Sequence, residues 1–148
     1  MFADRDLGVK VAIYGHFAET GRRPEVVDVA RRAGIDEAGV VASFQSLRAQ
    51  RLLLLENDGR SIRMAPPFSG VPTQHLVEAD GIGYFANCAW DALGVPAALR
   101  KPGRVHSRCE ESGEPLDLPV GLEGPESSDW LFHCLVPAGK WWDDLVFT

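Results

Sequence analysis

Phe85-Ala86-Asn87-Cys88-Ala89-Trp90-Asp91-Ala92-Leu93 has the composition of a helix, and the Gly94-Val95-Pro96 that follows predicts its end. On such a helix Cys88 and Asp91, three residues apart, share one face, so a thiol and a carboxyl become neighbours. A helix N-terminus favours thiolate over thiol, and a carboxyl kept partly protonated by burial can donate a proton to whatever the sulfur holds. Taken alone, Cys-x-x-Asp is a short signal, because a free cysteine on a helix is more often a small buried hydrophobe.

Working outward, Pro66-Pro67 is a natural seam, since consecutive prolines cannot continue a helix. The seam divides the charge. Residues 1–65 hold ten Lys/Arg against nine Asp/Glu, a net of +1, and residues 66–148 hold five against twelve, a net of −7. Before it, Leu7, Val11, Tyr14 and Ala18 form an apolar stripe on a helix ending near Gly21. Pro24 opens a second helix with Val26, Val29, Ala30 and Ala33 inward and Gly34 as its C-terminal cap. Asp36 is placed as the N-cap of a third, buried through Val40, Phe44 and Leu47 and ending near Gln50. Leu52 to Leu55, the turn Asn57-Asp58-Gly59 and Ser61 to Met64 read as a hairpin. Three helices and a hairpin predict a winged-helix unit over 1–65, ahead of an α+β remainder over 66–148.

A winged helix invites a DNA-binding reading. Its recognition helix, however, would begin with Asp36, Glu37, Ala38 and Gly39, which repel or ignore phosphate. Arg48, Arg51, Arg60 and Arg63 remain, but a net charge of +1 lacks the usual basic footprint. The expectation is a helical platform packed on the second half, without a nucleic-acid partner.

Composition narrows the classes further. With 148 residues, 45% hydrophobic, 24% charged and a mean hydropathy near zero, the chain reads as a globular protein of one domain or two small ones. No run approaches the ~18 apolar residues of a membrane helix. The acids in Met1-Phe2-Ala3-Asp4-Arg5-Asp6 do not fit a secretory signal, so the expected compartment is the cytoplasm. Cysteines at 88, 109 and 134, odd in number and without a CxxC pair, predict reduced thiols and argue against a zinc knuckle. His16, His75, His106 and His133 lack the spacing of a metal site. Trp130, Trp141 and Trp142 are expected to supply core or interface area, and Asp143-Asp144 a solvated turn.

The segments Pro67-Phe68-Ser69-Gly70-Val71-Pro72-Thr73, Tyr84 to Pro96, and Ser107-Arg108-Cys109-Glu110-Glu111-Ser112-Gly113-Glu114-Pro115-Leu116 resemble, in order and spacing, the organomercurial (alkylmercury) lyase family. Val136-Pro137 followed by Trp141-Trp142-Asp143-Asp144 is similar to a short, divergent branch of it. The resemblance implies an N-terminal winged helix before a mixed α/β core. It also implies protonolysis of a carbon–mercury bond. Cys88 would take the mercury of an organomercurial, and Asp91 would mediate protonation of the leaving carbon. External thiols would then remove Hg²⁺, with no organic cofactor. Soft mercury prefers thiolate to nitrogen or oxygen, which is why the chemistry needs sulfur beside a proton source.

The second catalytic cysteine of the family falls near Ser127 or Ser128 in this sequence, and a neutral hydroxyl is a poor ligand for a soft metal. Cys134 is the candidate for its place, as catalytic residue and mercury ligand beside Cys88. Trp130, Phe132 and Cys134 also alternate as residues on one face of a core strand do. Cys109 matches a family cysteine usually assigned to structure, although its polar neighbours predict an exposed turn. Other readings stay open: a thiophilic-ligand-binding protein without turnover, a regulator sensing such a ligand, or a lyase-fold enzyme acting on another small molecule. Family members commonly continue beyond the position of Leu145-Val146-Phe147-Thr148, so residues completing a site would fall after it. The sequence sets no oligomeric state.

Overall fold

A computed structural model describes residues 4–144. Leu145 to Thr148 and the first three residues of the N-terminal hexapeptide lie outside that range. The chain opens with α1 (Asp4–Thr20), α2 (Val26–Ala33) and α3 (Glu37–Ala49). Local chemistry sets their ends. Gly21 takes φ 70° and donates its N–H to the Phe17 carbonyl at 2.7 Å. A Cβ there would stand 2.1 Å from the Gly83 oxygen, so only glycine lets this helix end approach the later chain. Glu25 and Asp28 form a reciprocal capping box on α2, Gly34 closes it in the left-handed conformation, and the Asp36 carboxylate accepts from the Gly39 N–H at 2.8 Å on α3.

The buried face of α1 differs from the expected stripe. Val9, Ile13 and Phe17 are fully buried, whereas Leu7 and Val11 face solvent and Tyr14 and Ala18 sit at the margin. Both stripes satisfy helical spacing. The one carrying Phe17, which stacks on Phe68 at 5.1 Å, buries more apolar area and determines the rotation.

A small antiparallel sheet follows in the order β1 (Leu54–Leu55), β2 (Ile62–Ala65), β3 (Phe68–Ser69). Its first turn is held by Asp58, whose carboxylate accepts from the Ser61 hydroxyl at 2.6 Å and from the Arg60 and Ser61 N–H groups at 2.8 Å each. Those bonds, the hydroxyl first, bring its pKa down to about 2. The diproline, with a cis bond between its members, forms the second turn, because Ala65 pairs with Phe68.

The second sheet is also antiparallel, in the order β5-β4-β6-β7-β8: β4 (Leu76–Ala79), β5 (Ile82–Phe85), β6 (Gly103–Arg108), β7 (Pro115–Gly121) and β8 (Gly124–Pro125). Helix α4 (Ala89–Leu99) lies against it through Ala92, Val95 and Pro96. The expected helix thus begins later and ends later than its composition implied. Phe85 is held extended by pairing with Leu76, and Ala86 bridges to Phe68 and donates to the His75 carbonyl at 2.9 Å. At the other end, burial of Val95 and Pro96 on the sheet offsets the one N–H that proline lacks. The helix closes instead at Arg100, in the left-handed region at φ 54°.

Trp130 to Cys134 do not form a core strand. After Glu126 donates to the Pro119 carbonyl at 3.0 Å the chain leaves the sheet edge, so these residues have no ladder partner among the described residues. Trp130, Phe132 and Cys134 are consequently exposed, Trp141 and Trp142 half-buried, and Asp143 and Asp144 exposed in a turn. A short 3₁₀ turn spans Ala138–Lys140. No described helix is long and apolar enough to cross a membrane.

One hydrophobic core draws on the helices and both sheets. Phe68 is its hub, stacked on Phe17, 5.7 Å from Tyr84 and edge-on to Tyr14 at 6.1 Å. The Tyr84 hydroxyl donates to the Ala18 carbonyl at 2.6 Å and that of Tyr14 to the Pro66 carbonyl at 2.8 Å, so the buried and the half-buried phenol both find acceptors across the seam.

Candidate functional site

Strand β5 and helix α4 meet at Asn87 and Cys88. Cys88 is the N-cap of α4, in extended conformation, with its carbonyl accepting from the Ala92 N–H at 2.9 Å. Its Sγ takes the position a serine or aspartate oxygen usually holds and accepts from the Asp91 N–H at 3.4 Å. Asp91 stands in the first turn, and its Oδ2 accepts from Asn87 Nδ2 at 2.9 Å. Cys88 and Asp91 are thus brought together as N-cap and first-turn residue rather than along a mid-helix face, joined through the Asp91 backbone N–H while the carboxyl rests on Asn87.

The electrostatics depart from the expected thiolate. Burial pushes the Cys88 thiol up, and the Asp91 charge adds to this. The Asp91 and Trp90 N–H groups, directed at the sulfur, pull the other way without prevailing. Burial likewise raises the Asp91 carboxyl, against the pull of the Asn87 hydrogen bond. Asn87 Oδ1 is buried without a partner among the described residues. The Tyr14 phenol, half-buried and within the field of Asp91, is pushed up to about 12, desolvation being the larger cause.

Cys134 lies in the exposed C-terminal segment and donates its S–H to the Val136 carbonyl at 2.8 Å. It is within electrostatic reach of Cys88, whose ionisation a charge on Cys134 opposes. The two segments touch through Trp90 and Phe132, with ring centroids 5.7 Å apart. Ser127 and Ser128 are exposed, and the Ser128 hydroxyl accepts from the Trp130 N–H at 3.2 Å.

Cys109 sits in the β6–β7 turn. The Ser112 hydroxyl, followed by the Ser112 and Glu111 N–H groups, stabilises its thiolate and lowers its pKa. The opposite shifts of Cys109 and Cys88 predict an order of alkylation. In a Cys134→Ser background, iodoacetamide at pH 7 should modify Cys109 first, and Cys88 should catch up as pH rises. Peptide mapping over a pH series checks this, and Cys88 leading at pH 7 would contradict it.

His75 and His106 each have polar partners on the second sheet. His75 is buried against the Ser107 hydroxyl, Nδ1 to Oγ 2.7 Å, and burial lowers its pKa. His106 faces Glu78 at 3.3 Å and Asp117 at 3.7 Å. No metal-binding group of three His, Cys, Asp or Glu occurs among the described residues. Two surface hollows, one between the β4–β5 turn and Gly103 and one between Pro96 and Leu122, lie away from Cys88 and Asp91.

Sequence reasoning missed Asn87, Tyr14, Trp90 and Phe132. Asn87 is four residues before Asp91, a spacing that offered a signal. Tyr14 reaches the site only through tertiary packing and offered none.

The fold places the chain in a structural class. It superposes on the crystal structure of the mercury-bound form of MerB2 with a TM-score of 0.66 at 22% identity, covering 87% of this chain and 61% of that one. An alkylmercury lyase of Bacillus cereus is 29% identical over 100 residues, 68% of this chain and 44% of the relative. One of Pseudomonas putida is 43% identical over 51 residues, 34% of this chain and 24% of the relative. The matches thus span less than half the length of these curated relatives. The family model for alkylmercury lyase matches residues 68–148, and the chain belongs to the alkylmercury lyase family.

Proposed function

We propose that the chain is an organomercurial lyase that cleaves a carbon–mercury bond by protonolysis. The observation that carries this reading is the half-buried Asp91 in the first turn of the helix that Cys88 caps, its backbone N–H 3.4 Å from the Cys88 sulfur and its carboxyl charge acting on that thiol. Cys88 and then Cys134, from the facing segment, each lose a proton to solvent and bind the mercury of an organomercurial as thiolates. The carbon–mercury electron pair takes the proton of Asp91, the hydrocarbon leaves, and Hg²⁺ stays on sulfur until solution thiols remove it. Burial, by raising Asp91, favours the protonated form this step consumes. No organic cofactor takes part, and the thiol pool needed for turnover suits the cytoplasm.

In this reading residues 1–65 act as a winged-helix platform for a lyase core over 66–148. Asp36 and Glu37 head α3, and Arg60 and Arg63 are engaged by Glu37 and Glu56, each at 3.4 Å, which favours a supporting role over DNA binding. A second reading, stoichiometric capture of a thiophilic ligand without turnover, uses the same Cys88 sulfur and needs no proton from Asp91.

Single-turnover cleavage of an arylmercury salt in excess thiol separates the two. Asp91→Asn should retain mercury uptake and lose hydrocarbon release by about a hundredfold or more, the usual scale for a positioned acid. Uptake by the wild type with no hydrocarbon released would leave the capture reading.

A further inference from the structure

We propose that Trp90 and Phe132 form a wall for the organic group of the substrate and make the site selective for aryl over methyl mercurials. This rests on the organomercurial reading above. Trp90 is two residues after Cys88 in the first turn of α4, and its backbone N–H is directed at the Cys88 sulfur, while its ring is placed by the contact with Phe132. Phe132 is two residues before Cys134, whose charge Cys88 feels. The two rings meet at 5.7 Å with their planes inclined by 50°, so the aromatic contact joins the two chain segments that carry the thiols.

Both rings keep much of their surface open, 56% for Trp90 and 47% for Phe132. Inclined aromatic pairs of this kind accept a further ring edge-on or offset. A phenyl group on mercury held by Cys88 would present a ring face and some apolar area to that wall. A methyl group offers too little area to gain comparably. The wall therefore discriminates by the organic group and leaves the sulfur–mercury bond common to both ligands.

The test is competition binding on the full chain carrying Cys109→Ser, which removes the turn thiol, and Asp91→Asn, which keeps uptake and stops cleavage, with hydrocarbon release followed separately on the chain that keeps Asp91. Phenylmercury and methylmercury affinities are each referred to those of a small free thiol, so that the intrinsic preference of sulfur cancels. The expected phenyl-over-methyl preference is about tenfold, the scale of one aromatic contact with its buried area. Trp90→Ala and Phe132→Ala should each cut that preference about threefold or more, with methylmercury affinity unchanged, and Trp90→Phe should retain most of it. An absent preference in the wild type, or one unchanged in both alanine variants, overturns the proposal. A protein that prefers phenylmercury through these rings yet releases no benzene defeats the catalytic reading and leaves the wall standing. Hydrocarbon release without any ring-dependent preference does the reverse.

Discussion

Cys88→Ser should fold as well as the parent chain and release no measurable hydrocarbon from an arylmercury salt. Serine is a favoured N-cap, so its hydroxyl oxygen replaces Sγ as acceptor for the Asp91 N–H and α4 keeps its start. What changes is the donor atom. A neutral hydroxyl does not compete for a soft metal with the thiols in solution. The loss should exceed the roughly 10- to 100-fold typical of removing an outer partner of a metal site, because in the proposed reaction the atom bonded to mercury is itself removed. Product release is the readout to use, since Cys109 and Cys134 still offer thiols to mercury. An unchanged thermal midpoint with release abolished is the expected pair of results. Release at the parental rate would assign the mercury-binding role to another sulfur.

Phe68→Ala should cost about 3–5 kcal/mol, the range for a large aromatic removed from a packed core. Phe68 is 2% exposed and meets three aromatic rings, those of Tyr14, Phe17 and Tyr84, so the void opens between parts of the structure that cannot collapse together without moving α1. Urea unfolding of the full chain measures the change through the midpoint at constant slope. Phe68→Leu should recover much of the loss. A cost below about 1 kcal/mol for the alanine variant, the scale of a surface change, would show that the ring is not the hub of the core.

Much of the fold was legible because its signals are local. Gly34, Asp36 and the Asn57-Asp58-Gly59 turn declare themselves within a few residues of where they act, and the structure uses each as expected. The rotation of α1 was not legible, since two stripes share helical spacing and the choice depends on Phe68, far along the chain. The start of α4 was hidden for a similar reason. Phe85 and Ala86 have helical composition but are held extended by Leu76, His75 and Phe68. At the site, the Cys88–Asp91 spacing could be read, whereas the shift of the thiol depends on burial that no local pattern encodes. The alternation of Trp130, Phe132 and Cys134 pointed to a strand, but a strand needs a partner and the sheet edge ends at Pro125.

The hub at Phe68 also limits how the molecule can be taken apart. Similarity to the family model begins at that very residue, yet its ring rests on Phe17 and its strand pairs with Ala65, both upstream. A piece cut at this limit would carry the thiols and the carboxyl but leave Phe68 and Tyr84 open to water, with the Tyr84 hydroxyl deprived of the Ala18 carbonyl. The start of the family model is thus not a line of cleavage in the solid body, and the 100-residue match to the Bacillus cereus lyase itself reaches upstream of it. The upstream helices are part of the wall that the cysteine-bearing half leans on, and exchanging modules between relatives would have to carry that wall along.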